Sequence, residues 1–208
     1  MTPGEWLPGA KTVISLFLPF TARIKEANRV DMTWPADEWL QGRIEGQAYV
    51  LTVCRYIEEL LKKEGFTALT PATDSRFSSK NLVIKDETEN AHYASNWSER
   101  HVAYAAGLGT FGLSKGLISR KGVAGRYLSV ITTALFEPVK RPYKGVYDYC
   151  NNCGACARNC PAKAISLEKG KIHHLCSAFL DTTKKQPPYY GCGKCQVKVP
   201  CESKAPNG

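Results

Sequence analysis

The chain carries 208 residues and a formal charge of +9, from 28 basic and 19 acidic side chains. Its length allows one ordinary domain with a small second one appended, and with no run of about 18 apolar residues it offers nothing to span a membrane. The N-terminus lacks the basic start and apolar stretch of a signal peptide, so its nine cysteines are expected to stay reduced in the cytoplasm.

Lys11 to Leu18 (KTVISLFL) is apolar, rich in β-branched residues and bounded by Gly9 and Pro19, which predicts a buried strand. Asp37 to Lys63 reads as a long helix. Ile44, Ala48, Leu51, Cys54, Ile57 and Leu61 recur there at three- and four-residue steps, and Gly65 stands where a helix ends. Cys54 lies on that apolar stripe and reads as a packed core thiol. Phe66 to Thr70 is expected to return as a strand. A second helix is predicted from Asn96 to Ala106, with Asn96 and Glu99 spaced as a capping box.

The next segment, Gly107-Leu-Gly109-Thr-Phe-Gly112, matches the G-x-G-x-x-G spacing of dinucleotide sites. That fingerprint needs a strand before it and a helix after it, and here the order is reversed. The three glycines read instead as a place where backbone turns sharply beneath a large flat ligand. Strands are predicted over Gly116–Ser119 and Arg126–Ala134, joined by a loop from Gly122 to Gly125. Glu137 to Tyr143 holds two prolines and reads as a linker, dividing the chain into residues 1–143 and 144–208.

Beyond the linker lies Cys150-Asn-Asn-Cys153-Gly-Ala-Cys156-Ala-Arg-Asn-Cys160-Pro161. This is the C-x2-C-x2-C-x3-C-P run with which bacterial ferredoxins hold [4Fe–4S] clusters. In such ferredoxins the fourth cysteine of the run serves a second cluster, so a second set is expected, and Cys176, Cys192, Cys195 and Cys201 follow. The pattern implies one cluster on Cys150, Cys153, Cys156 and Cys201, and another on Cys160, Cys176, Cys192 and Cys195. Two other chemistries use cysteines at this density. Four-cysteine zinc sites pair two separated C-x2-C knuckles and do not crowd four thiols into one run. Disulfides belong to oxidising compartments. Cys201 is the least regular candidate, because five residues separate it from Cys195 where a ferredoxin usually has three, and Pro200 precedes it. His173 and His174, just before Cys176, read either as tuners of a cluster through hydrogen bonds or as polar turn residues.

With these motifs in view, the chain resembles the epoxyqueuosine reductases and their relatives, the corrinoid-dependent reductive dehalogenases. The likeness starts at Leu7-Pro-Gly-Ala-Lys-Thr-Val-Ile14. It strengthens at Ser98-Glu-Arg-His-Val-Ala-Tyr-Ala-Ala-Gly-Leu-Gly109, similar to the family's E-R-x-x-A-x-x-A-G-L-G helix and turn, and continues through Tyr190-Gly-Cys192-Gly-Lys-Cys195-Gln. The resemblance implies an α/β (α+β) fold of nitroreductase type cradling a base-off cobalamin, followed by a two-cluster ferredoxin domain that feeds electrons to cobalt. The cofactor would lie close to Gly107–Gly112 and Lys115–Thr133, with Gly107, Gly109, Gly112 and Lys115 as its contacts.

Three departures accompany the likeness. The N-terminal region is shorter than in the family, and the helical extension that helps epoxyqueuosine reductases bind tRNA does not follow Gly208. The family's proton-donating aspartate, six residues before the E-R pair, falls on Tyr93. Related dehalogenases use a tyrosine in this role, which makes Tyr93 the candidate acid; its four-residue spacing from Trp97 also explains it as one of a packed aromatic pair. His92 and His101 flank the glycine segment as alternative proton donors, or as capping and surface residues.

The expected function is that of a cytoplasmic iron–sulfur reductase passing electrons through two [4Fe–4S] clusters to a corrinoid-type cofactor. Its positive charge favours an acidic electron donor of flavodoxin or ferredoxin type, and its substrate would be a small molecule or a tRNA. Two alternatives stand beside this reading: a non-catalytic two-cluster carrier, and a tRNA epoxyqueuosine reductase proper.

Overall fold

The computed structural model describes residues 1–83, 91–184 and 187–207, with the backbone alone at 81–83 and 91–93. Strand β1 (Thr12–Pro19) pairs antiparallel with β7 (Gly125–Thr132), from Thr12 opposite Thr132 to Pro19 opposite Gly125. The short β2 (Ala68–Leu69) closes the other edge of β7, so the expected return strand narrows to two residues. Alternation along β7 sends Leu128 and Val130 to one face and Ser129 and Ile131 to the other.

Helix α3 (Asp37–Lys63) covers the first face, with Val50, Cys54 and Leu61 buried against Leu128 and Val130. Cys54 is fully buried, the core thiol its position predicts. The expected apolar stripe holds at Leu51, Cys54, Ile57 and Leu61 and is rotated only before them. Val50, one turn before Cys54, is buried, while Ala48 is exposed. Nearer its start the helix presents Gly46 to Leu18, Phe20 and Arg126.

The second face is covered by α1 (Pro3–Trp6) and α4 (Glu99–Ala105), where Trp6, Leu7, Trp97 and Ile131 form one cluster. The expected capping box does not form. Ser98 is the N-cap residue of α4, and Asn96 instead accepts from the Ser78 amide at 2.9 Å and donates to the Arg76 carbonyl at 2.7 Å. Glu99 turns inward, where its Oε2 accepts from Ser129 Oγ at 2.8 Å and Ser129 Oγ accepts from Trp97 Nε1 at 2.9 Å. Its other oxygen is buried without a partner. Burial pushes the Glu99 carboxyl up to about 8, with the Ser129 hydrogen bond acting the opposite way.

Two features have no periodic apolar signal and are not anticipated from the sequence. Helix α2 (Ala22–Val30) buries only Asn28, and Thr21 caps it by accepting from the Ile24 amide at 3.4 Å. Strands β3 (Ser79–Val83) and β4 (Ala91–Ser95) pair antiparallel. A small hairpin, β5 (Gly109–Phe111) with β6 (Leu117–Ser119), then leads into β7.

The cysteine-rich end contributes α5 (Ala155–Arg158), the two-residue strands β8 (Ile165–Ser166) and β9 (Gly170–Lys171), and α6 (His173–Thr182). Residues 137–143 do not separate it from the sheet. Tyr143 is buried in one cluster with Ile118, Val123, Tyr149, Ala155, Val199 and Ala205, so a single core runs across the 143/144 boundary. The antiparallel sheet makes α+β the apt description of the expected mixed fold. Among the described residues no helix is long and apolar enough to cross a membrane.

Glu99 predicts a pH dependence of stability. Its folded pKa, about 8, lies above the ordinary carboxyl value of 4.5, so the folded state binds this proton more tightly than the unfolded chain. Stability from this residue is therefore intact below pH 4.5 and is lost as pH rises toward about 8. Replacing Glu99 with Gln keeps an acceptor for Ser129 and removes the charge. Denaturant midpoints should then fall less steeply between about pH 5 and pH 8, a relative gain on the order of 1 kcal/mol or more at the upper end.

Candidate metal centre

Eight of the nine cysteines lie in the cysteine-rich end, and four of them share one cavity beside which the other four stand. Cys150, Cys153, Cys156 and Cys201 line one small cavity together with Gly112, Ile118 and Val199. Cys195 lies within electrostatic reach of Cys160 and Cys176, and Cys192 within reach of Cys176 and Cys195. The groups meet where Cys156 feels the charge of Cys195. All nine thiols are free, so no disulfide competes for them. Thiols set around a cavity suit a polynuclear cluster, in which each iron takes its own sulfur.

What holds these loops is α2. Arg29 forms a bidentate ion pair with Glu202, whose Oε2 also accepts from the Lys198 amide at 2.7 Å. Lys25 Nζ donates to Ser203 Oγ at 2.7 Å. The carbonyl of Cys201 accepts from the Val123 amide at 2.9 Å. The irregular spacing before Cys201 is thus taken up by a loop that folds around the Glu202 carboxylate. Asn28 serves the other loop, its Nδ2 donating to the Cys192 carbonyl at 3.0 Å. Lys194 reaches back with Nζ to the carbonyl and Oδ1 of Asn28 at 2.8 and 2.7 Å.

Glycine is required at two of these docking points. A Cβ on Gly193, at φ +70°, would stand 2.0 Å from Trp39 Cε2. One on Gly122, at φ +89°, would stand 2.2 Å from the Glu202 carbonyl oxygen.

Burial raises the thiols of the site, Cys156 to about 11 and Cys192 and Cys201 to about 12. Without a metal the pocket favours neutral thiols, so loading with iron must displace their protons. Burial also lowers the Lys194 ammonium to about 8. Amides face the sulfurs, among them that of Ala164, which donates to Cys160 Sγ at 3.3 Å.

The other expected site residues do not gather into one place. Gly107 follows α4 at φ +88°, beneath Arg141. Gly109 is a β5 residue whose Cβ would meet the Ile118 carbonyl oxygen at 2.0 Å, and Gly112 lies against Ile118 and Cys150. Lys115 is exposed in the β5–β6 turn, where its carbonyl accepts from Arg100 at 2.9 Å. Gly109 and Gly112 are thus taken up by close packing within the protein, and Gly107 by the positive φ of the turn that ends α4. Tyr93 and His92 stand on β4 with side chains outside the described residues. His173 and His174 open α6, His174 exposed.

A groove of about 480 Å³ opens instead between α1, β1 and α4, lined by Pro3, Val13, Trp97, Ser98, His101 and Val102 among others. On its wall Ser98 Oγ and His101 Nδ1 are 2.7 Å apart, and burial pushes the His101 pKa down.

Comparison with known proteins agrees with this geometry. Residues 143–166 match the family described as a 4Fe-4S binding domain. Over 95% of its length the chain is 26% identical to the epoxyqueuosine reductase of Bacillus cereus, covering 50% of that protein. An epoxyqueuosine reductase structure containing an epoxyqueuosine-modified tRNA-Tyr stem loop superimposes with a TM-score of 0.55, at 23% identity, over 97% of this chain and 51% of its own. The fold is that of an epoxyqueuosine reductase. A catabolic reductive dehalogenase superimposes with a TM-score of 0.57, at 19% identity, over 93% of this chain and 26% of its own. The chain spans about half the length of the epoxyqueuosine reductases it matches. It is an iron–sulfur protein with a ferredoxin-type domain.

The anchoring of Cys201 gives a direct expectation. Glu202→Ala should release its loop and lower the iron content of anaerobically loaded protein by about half, because one of two cysteine groups loses its fourth thiol. Cys54→Ala, in the separate core between α3 and β7, should leave iron content unchanged. Both are read by iron and sulfide analysis.

Proposed function

We propose that this chain carries two [4Fe–4S] clusters and supplies electrons for an epoxyqueuosine-reductase-type reduction. Cys150, Cys153, Cys156 and Cys201 would hold the first, and Cys160, Cys176, Cys192 and Cys195 the second. The observation that supports the reading is that Cys150, Cys153, Cys156 and Cys201 line one small cavity while the remaining cysteines of this end stand beside it as free thiols. When bound, each cluster supplies a one-electron carrier. The chain's own residues bury it, exclude water and donate amides to its sulfurs, which together set its potential. The excess positive charge fits an acidic flavodoxin- or ferredoxin-like donor.

Among the possible reactions, the relatives favour reduction of epoxyqueuosine in tRNA over a general corrinoid-dependent reduction. The acceptor would approach the groove beside Ser98 and His101, the open concave surface next to the sheet. Gly109 and Gly112 are occupied by packing inside the protein, and no step is assigned to a corrinoid. Their packing favours a second reading, a two-cluster carrier that serves a reductase without being one.

Anaerobic reconstitution should give about eight irons per chain, four for each cubane. A value near four would overturn the two-cluster reading. Loaded protein should then be incubated with a low-potential flavodoxin and an epoxyqueuosine-containing tRNA stem loop, with and without added cobalamin. Mass spectrometry should detect loss of the epoxide oxygen. Clusters that reduce and reoxidise fully while the nucleoside stays unchanged in both mixtures would leave the carrier in place of the reductase.

A further inference from the structure

Lys194 is one of the most deeply buried side chains of the protein, at 1% exposure. Long cationic side chains are seldom buried without an anionic partner, because desolvating an ammonium is costly. Its two hydrogen bonds go to the carbonyl and amide oxygens of Asn28, both neutral. Asn28 is itself fully buried, and its Oδ1 also accepts from the Ala36 amide at 3.1 Å. Among the described residues no carboxylate lies within ion-pair distance of Lys194. Asp31 acts on it only at range, its Oδ1 being engaged by the Thr33 and Trp34 amides. The charge is therefore held in place by neutral groups and lacks a counter-ion.

The missing negative charge has a natural source in the two thiols that flank it. A [4Fe–4S] cluster on four thiolates is anionic overall and gains one further negative charge on accepting an electron. We propose that Lys194 is the internal counter-ion of the second cluster and holds its reduction potential above that of the first. A fixed cation beside a cluster attracts the reduced form more strongly than the oxidised one, and attraction is larger where water is excluded. The two groups differ in this respect. The cation beside the second group, Lys194, is buried and hydrogen-bonded in place, whereas the one beside the first, Arg158, is exposed to water and donates to the carbonyl of Cys153 at 3.0 Å. The first cavity is lined by apolar groups, amides, a serine and thiols, with no cation among them. Reduction by a low-potential one-electron donor would then fill the second cluster first, and the first cluster would be the stronger reductant of the pair.

The inference rests on the two-cluster reading above, and an anaerobic potentiometric titration of loaded protein, followed by electron paramagnetic resonance, separates the two. Wild-type protein should show two one-electron steps. Lys194→Met keeps the length of the side chain and removes its charge. Asn28→Asp keeps the lysine and gives it a carboxylate. In each variant that retains full iron content, the upper step should move to lower potential by a factor of ten or more in the redox equilibrium, about 59 mV for one electron, while the lower step stays in place. If Lys194→Met fails to hold the second cluster, Asn28→Asp decides the matter. An unmoved upper step, or a shift confined to the lower one, overturns the proposal. Wild-type protein with half the iron and one step overturns the two-cluster reading instead.

Discussion

Asn28 and Arg29 are neighbours on α2, and each grips a different cysteine loop. Segments that carry ligand cysteines have little regular structure and cannot bury much apolar surface by themselves, so until metal is bound their geometry has to be imposed from outside. Here it is imposed by a single turn of helix. Arg29 fixes the Glu202 loop and with it Cys201, while Asn28 fixes the Cys192 carbonyl and the Lys194 ammonium. Other docking contacts, among them Gly193 against Trp39, Gly122 against the Glu202 carbonyl and Arg43 donating to the Tyr190 carbonyl, lay these loops on α3 and on the turn before β7.

This arrangement accounts for the continuity between the sheet and the cysteine region. Val123 leads into β7 and donates to the Cys201 carbonyl, and Tyr143 packs beside Ile118 while its hydroxyl donates to the Tyr104 carbonyl. A cluster seated here would be embedded in a core shared by the β5–β6 hairpin, the turn before β7 and the cysteine-rich end. Burial of that kind strengthens every nearby charge, which is why a buried ammonium beside one cysteine group and none beside the other matters energetically.

The glycine segment illustrates how a spacing can mislead. Gly107, Gly109 and Gly112 suggested a surface for a flat ligand, yet each is explained by a close approach within the protein: a helix end beneath Arg141, a strand pressed on Ile118, and a contact with Cys150. The concave surface is elsewhere, between α1, β1 and α4, and its Ser98–His101 pair belongs to the same E-R helix that carried the resemblance. The capping role assigned to Glu99 fails for a related reason. Ser129 offers it an internal partner, and that long-range hydrogen bond draws the carboxyl into the core.

Several elements could be read from the chain directly. Strong periodic or compositional signals survive folding unchanged, so β1, the bounds of α3 and the burial of Cys54 followed from apolar pattern, and the thiol-rich centre followed from cysteine spacing. The rotation of α3 did not, because whether Ala48 or Val50 faces the sheet is set by where Leu128 and Val130 lie. Helix α2 was silent for the same kind of reason: its one buried residue is an asparagine, whose partners Cys192 and Lys194 are more than a hundred residues away. Glu202 and Lys194 look like ordinary surface charges in the sequence. Only the tertiary structure buries them and supplies Arg29 and Asn28 as partners, since a polar side chain has no periodic signature and takes its role from what folding brings beside it.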